Sequence, residues 1–238
     1  IFKIRNTKPS ISSRPTNLTH WSLSELVDAH TSRNDWFIRQ ARLELARRRM
    51  TRDITSSYPL LTKLLNSSES TPSIKVQALL TLHVLGGTHR SLLRELSEAE
   101  HESLRSWSIR LLTDDWPIDD AMGASPLDKN ARVGKQAREL MPHLLAMANH
   151  DTSALVRLTL ASTLQRLPIE FRPQLAKALV KHGEDTTDHN LPLMIWYGLI
   201  PVANQNPTEL VVVAKACKIP KTLELISRCI AEEIDAFP

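Results

Sequence analysis

The sequence predicts an all-α protein built from stacked helix pairs, and three observations carry that expectation. The 238 residues are 42% hydrophobic and 24% charged with six glycines, which supplies apolar material to bury and little of the backbone freedom that turn-rich β folds or disordered chains use. Short apolar stripes recur at helical spacing along the chain. Helix start and stop signals fall between those stripes.

The stripes resemble one another. Ile74-Lys75 is followed by Ala78 and Leu82, Leu104-Arg105 by Ser108 and Leu112, and Val156-Arg157 by Leu160 and Leu164. Residues four apart share a helix face, so each copy presents an apolar stripe with a basic side chain at its edge. Phe37, Ala41 and Leu45 form an earlier copy with its base at Arg39, and Leu191, Ile195 and Leu199 a later one without a base. The copies begin at 37, 74, 104, 156 and 191, giving steps of 37, 30, 52 and 35. The long step contains the Pro- and Asp-rich stretch Asp114 to Asn130, read as an insertion at 113–131. Each copy is taken as the second helix of a pair. The first helices then lie at Leu23–His30, Leu60–Leu65, Leu92–Leu96, Gln136–Ala148, Leu175–Lys181 and Leu210–Ala216. Two helices per unit of roughly 30 to 47 residues define the HEAT/armadillo-like α-α superhelix, a solenoid, here of about six helix pairs. The Trp-Leu-Gly and Tyr signature of tetratricopeptide repeats is absent.

Local signals agree. Ser22 with Glu25 reads as a capping box, Asn34 as the cap of a helix through Arg49, Thr71-Pro72 and Asn206-Pro207 as caps before a first-turn proline, and Asp151 as the cap of a helix through Leu167. Gly86-Gly87 and Gly183 read as stops. Leu223, Ile226, Ile230 and Ile234, interrupted by Glu232-Glu233, form a last stripe suited to a capping repeat. Residues 1–20 differ. Ile1-Phe2-Lys3-Ile4 reads as a strand stub and Asn6 to Asn17 as a linker, so the repeat domain is assigned to 21–238.

Composition narrows the function. No apolar run reaches the roughly 18 to 20 residues of a membrane span. The formal charge of +4 is uneven: through residue 60 there are 11 Lys/Arg against 5 Asp/Glu, and beyond it 19 against 21. Arg39, Arg42, Arg47, Arg48, Arg49 and Arg52 carry the excess, as a polyanion-binding edge or, more plainly, a solvated helix face. Cys217 and Cys229 lie in no C-x-x-C and read as small buried side chains. The start at Ile1 without a signal peptide reads as that of a processed piece.

Candidate chemistry is sparse. His182, Asp185, Asp188 and His189 offer metal-type ligands, although an inter-helix loop in which Asp188 or Asn190 caps the next helix explains the same residues. Asp114, Asp115, Asp119 and Asp120 around Trp116 suggest calcium but lack EF-hand spacing. The two acidic groups fall at opposite edges of the repeats and form no common site. His101-Glu102 is not followed by the histidine of a zinc protease, and neither a G-x-S-x-G elbow nor a phosphate-binding glycine loop is present. Trp36, Trp107 and Trp196 belong to second helices, where they either stack on a ligand or fill the core.

The stretches Asn34-Asp35-Trp36-Phe37-Ile38-Arg39-Gln40-Ala41-Arg42, Arg110-Leu111-Leu112-Thr113-Asp114-Asp115-Trp116-Pro117 and Asp188-His189-Asn190-Leu191-Pro192-Leu193-Met194-Ile195-Trp196-Tyr197-Gly198 resemble the HEAT-like region of large multidomain proteins of Planctomycetes and Verrucomicrobia. Those proteins are similar to membrane-bound dehydrogenases, with a β-propeller before the repeats and a c-type haem domain after them. The resemblance implies an exported, periplasmic setting and makes Ile1 to Ile4 the end of the propeller. It implies no cofactor here, since the haem motif is absent from this sequence and haem would belong to another part of the parent protein.

The expected function is therefore a non-catalytic protein-interaction or inter-domain scaffold, engaging a protein partner or neighbouring domains rather than nucleic acid. Binding is expected at Trp36, Arg39, Arg42, Trp107, Arg110, Asp114, Asp115, Trp116, Asp188, His189, Asn190 and Trp196, and no catalytic residue is assigned. One alternative is a DNA-binding enzyme of the HEAT-like alkylated-base glycosylase type, by fold analogy alone. It requires a basic stripe with a carboxylate beside exposed tryptophans. Another is sugar or metal binding by the two loop clusters.

Overall fold

A computed structural model of the chain describes residues 17–119 and 131–232. The strand stub, nearly all of the linker, the centre of the insertion and Ile234 lie outside the described residues.

Among the described residues twelve α-helices occur in the order α1 Leu23–Asp28, α2 Asp35–Arg49, α3 Ser57–Asn66, α4 Pro72–Val84, α5 Arg90–Leu96, α6 Glu102–Leu112, α7 Ala131–His150, α8 Ala154–Thr163, α9 Arg172–Leu179, α10 Leu191–Gln205, α11 Pro207–Ala216 and α12 Pro220–Glu232. The described residues are helical or irregular and include no strand. Each expected first and second helix is present, α7 beginning earlier than its stripe suggested. No helix among the described residues is long and apolar enough to cross a membrane.

The caps explain the boundaries. Ser22 and Glu25 close a full capping box, Asn34 accepts from the Trp36 N–H, and Thr71 accepts from the Ile74 N–H ahead of Pro72. Gly86, at φ +72°, ends α4, with the Gly87 N–H donating to the Leu82 carbonyl and the Gly86 N–H to that of His83. This is a Schellman ending, and its left-handed residue favours glycine. One expected cap is corrected: Ser153, not Asp151, accepts from the Val156 N–H. Asp151 instead accepts from the Ser153 N–H, and its carboxylate is drawn away by an arginine described below.

The chain divides into two compact units, Ile1–His89 and Arg90–Pro238. In the first, α1 packs on α2 and α3, α3 on α4, and α2 on α4. Leu26, Ala41, Leu45, Leu61, Leu79 and Leu85 form its core. In the second, α6, α8, α10 and α12 contact one another in series, and α7, α9 and α11 do the same. The two rows share a core of Ile109, Leu144, Val156, Leu160, Leu175, Leu179, Ile195 and Leu199. Every residue of the five repeat stripes is buried except Phe37 and Ile74, which are half-buried. The spacing thus identified the packed faces.

The row α8 to α10 closes tightly at Gly198. A Cβ there would fall inside van der Waals contact of Leu164 Cβ. Gly198→Ala should therefore lower stability by about 1 to 3 kcal/mol through overpacking, against the roughly 0.5 to 1 kcal/mol gain that alanine gives in an open helix. Urea denaturation reads the sign, and a stabilised variant would contradict this packing.

Candidate functional site

The repeat bases turn inward. Arg105 in the first turn of α6 clasps Asp151, in the loop between α7 and α8, with Nε and Nη2 at 2.7 and 2.8 Å from its two oxygens. Arg157, one helix pair later, clasps Asp185 in the loop before α10, with both contacts at 2.6 Å. The Arg105 Nη1 also donates to the Ala99 and Glu100 carbonyls, and the Arg157 Nη1 to the Asp151 carbonyl. Each arginine thus ties its own inter-helix loop to a carboxylate of the next pair. The fork geometry suits a carboxylate bidentately. Burial pushes the Asp151 carboxyl up, but the Arg105 guanidinium and the Ser153 N–H hold it below its ordinary value. Hydrogen bonds from the arginines to Asp151 and Asp185 raise Arg105 and Arg157.

Asp119 of the insertion is also absorbed. Asp119 accepts from Arg172 at 2.5 and 3.1 Å, and the buried guanidinium also donates to the Leu167 and Gly198 carbonyls. Trp116 is 2% exposed, its indole N–H donating to Gln136 Oε1 at 3.0 Å, while Arg166 donates to the Trp116 carbonyl at 2.7 Å. Trp116 is thus a core residue rather than a stacking surface. Asp115 pairs with Arg132 at 2.7 Å, and Asp114 is exposed. Asp120 lies outside the described residues. The calcium reading loses Asp119 to its arginine.

The second loop cluster is similar. Asp185 belongs to Arg157, and Asp188 accepts from the Asn190 and Leu191 N–H groups as the true cap of α10. His182 Nε2 donates to the Ala148 carbonyl at 2.7 Å, leaving Nδ1 2.9 Å from Glu184. His189 and Asn190 are exposed. Among the described residues no three His, Cys, Asp or Glu side chains are placed to hold a metal ion. The buried aspartates of the two groups meet different arginines, Asp185 meeting Arg157 and Asp119 meeting Arg172.

The expectation of a solvated basic face is corrected at Arg48 and Arg42. Arg48 is buried, pairing with Glu44 at 2.6 Å and donating to the Leu18 and Thr19 carbonyls. Arg47 also holds Glu44, and these hydrogen bonds, opposed by burial, lower that carboxyl to about 2. Arg49 donates to the Val84 carbonyl. Half-buried Arg42 reaches Thr81 Oγ1 and Gln77. Arg39, Arg47, Arg49 and Arg52 are exposed.

The other tryptophans are more open. Trp36 is 37% exposed and meets Phe37 edge-on, Trp107 is half-buried beneath the Arg110 guanidinium at 5.4 Å, and Trp196 is half-buried. Beside them lie residues that sequence reasoning passed over. Leu155 and Leu158 on α8 and Met194 and Tyr197 on α10 are exposed or half-buried, so the outward faces of α6, α8 and α10 carry an apolar and aromatic band. Gln165 Nε2 reaches Met194 Sδ across it at 3.7 Å. The signal was present as apolar residues out of phase with the buried stripe. A cavity of about 390 Å³ with Ile169, Pro173 and Val202 as its apolar wall and Glu170 and Glu209 among its polar residues had no such signal.

Ser97, His143 and Glu98 invite comparison with a hydrolytic triad. The Ser97 hydroxyl is buried and lies 2.6 Å from both the Arg94 carbonyl and His143 Nε2. Its single proton goes to the carbonyl, so the histidine donates to it. That polarity is opposite to an activated nucleophile. Cys217 donates to the Ile219 carbonyl and is not joined to Cys229.

No protein-family model matches the chain and no curated protein matches it. Among solved structures, the crystal structure of an engineered protein from the Northeast Structural Genomics Consortium is similar at 16% identity and a TM-score of 0.48, covering 90% of this chain and 98% of that one.

The buried His30 supplies a pH test. Its Nδ1 faces the Leu26 and Val27 carbonyls and its Nε2 lies 2.7 Å from Thr81 Oγ1. Burial pushes its pKa down, the two carbonyls oppose this, and Arg42 adds to the depression. The unfolded chain therefore binds this proton first, and stability falls as pH drops below about 6.5. His143, also depressed by burial and by Arg94, acts in the same direction. Stability measured from about pH 7.5 to about 5.5 should decline less steeply in His30→Gln than in the native chain. Equal slopes would contradict a His30 whose pKa burial lowers.

Proposed function

We propose that the chain is a helical-repeat module of the HEAT/armadillo kind that binds a protein surface along the outward faces of its second helices and performs no chemistry of its own. The observation that carries this reading is the band of Trp107, Leu155, Leu158, Met194, Trp196 and Tyr197 on three successive second helices. Aromatic and methionine side chains are enriched in protein interfaces, where they combine large area with few torsions. Arg110 above Trp107 adds a cationic rim. Arg105, Asp151, Arg157 and Asp185 are joined in clasps that hold helices together. On the resemblance drawn from the sequence, the module would act as an inter-domain scaffold in an exported dehydrogenase-like protein.

Photo-crosslinking in cells tests the reading. A benzoylphenylalanine placed at Leu155 or Tyr197 should give a discrete crosslinked product, whereas one at Lys177 on α9 or Lys215 on α11 should not. Crosslinks from the first-helix positions alone, or from none of the four, would contradict it.

A further inference from the structure

The first unit carries a different surface. Trp21 precedes the N-cap of α1, and Glu25 and Asp28, three residues apart, share one face of the helix. With Ala29 and Thr31 they line an open groove of about 260 Å³. Trp21 forms its aromatic wall, half-buried and stacked on Phe37 at 6.2 Å between centroids with the planes 11° apart. Trp36 meets the same Phe37 ring edge-on at 5.0 Å. The wall is thus braced by two further rings and held in place.

The groove is also electrostatically one-sided. Its lining has two carboxylates and no basic residue. Like charges three apart on a helix repel by a few tenths of a kcal/mol, and both Glu25 and Asp28 are exposed. Glu25 is explained in part by its capping box with Ser22. Neither the cap nor the core calls for Asp28 beside it.

We infer that this groove binds a side-chain ammonium or guanidinium presented by a basic peptide. The cation would lie against the Trp21 face, where the ring quadrupole attracts it, with Glu25 and Asp28 as counter-charges. The groove holds one long basic side chain, which covers apolar surface with its stem while its charged head meets the carboxylates. An anion or a neutral apolar group would leave those carboxylates without a counter-charge. The site is independent of the second-helix band, which belongs to the other unit.

Residues 1–16 contain Lys3, Arg5, Lys8 and Arg14 and no acidic residue, so the same chemistry exists in the chain itself. Two protein backgrounds separate the sources: the native chain, and one carrying Lys3→Gln, Arg5→Gln, Lys8→Gln and Arg14→Gln. Calorimetric titration of each with acetyl-tetralysine amide, and with acetyl-tetraglutamate amide as control, reads the site. Glu25→Gln with Asp28→Asn removes both charges and keeps a residue that completes the capping box. The lysine peptide should bind and the glutamate peptide should not, and the double variant should weaken binding by about tenfold or more. Binding seen only in the four-glutamine background assigns the cation to the chain's own N-terminal residues. Lysine-peptide binding in neither background, equal binding of both peptides, or unchanged binding by the double variant would overturn the inference.

Discussion

Two guanidinium–carboxylate clasps, Arg105 on Asp151 and Arg157 on Asp185, fix the register in which successive helix pairs of the second unit meet. Apolar stripes bring helices together without specifying how far one slides along another, because burial is non-directional. A slip by one turn, about 5.4 Å, would keep much of the apolar area buried. It would separate each fork from its carboxylate and leave buried charges uncompensated. The clasps therefore act mainly against wrong registers, since a buried ion pair adds little over a well-packed apolar pair but is costly to break.

The same economy governs the rest of the charge. Arg172 and Arg166 hold residues 113–119 against the helices around α8, and Arg48 holds Leu18 and Thr19 against α2. Positive side chains that a linear count treats as surface are thus hydrogen-bonded to loop carbonyls and carboxylates. Outside, besides the exposed Arg39, Arg47, Arg49 and Arg52, lie an apolar and aromatic band on α6, α8 and α10 and an acidic, aromatic groove at α1. Both surfaces are suited to recognition, and they differ in the partners they would select.

The helices were legible because their signals are local. Capping boxes, first-turn prolines, the Gly86 stop and stripes four residues apart all act within one or two turns, and each marked a real boundary or buried face. The bases of the repeat were seen, but their partners were not. Asp151 lies five residues before Val156, and Asp185 six before Leu191; this recurrence of a loop carboxylate ahead of α8 and α10 could have exposed the clasp. It was missed because each aspartate serves the preceding pair's arginine, at a separation of 46 or 28 residues. Trp116 was misread for a similar reason, since its burial depends on Gln136 and Arg166, which flank it only in the fold. The outward band was hidden by attention to the buried stripe.

A double-mutant cycle on Arg157 and Asp185, followed by chemical denaturation, tests the central role of the clasps most directly. Removing Arg157 should cost about 3 to 5 kcal/mol, because Asp185 is then a buried charge without its counter-ion, and removing Asp185 somewhat less, because Glu184 stays 3.6 Å from the guanidinium. Removing both should cost little more than one, giving a coupling of about 2 kcal/mol or more. Small single effects that simply add would mean that the apolar stripes alone set the register.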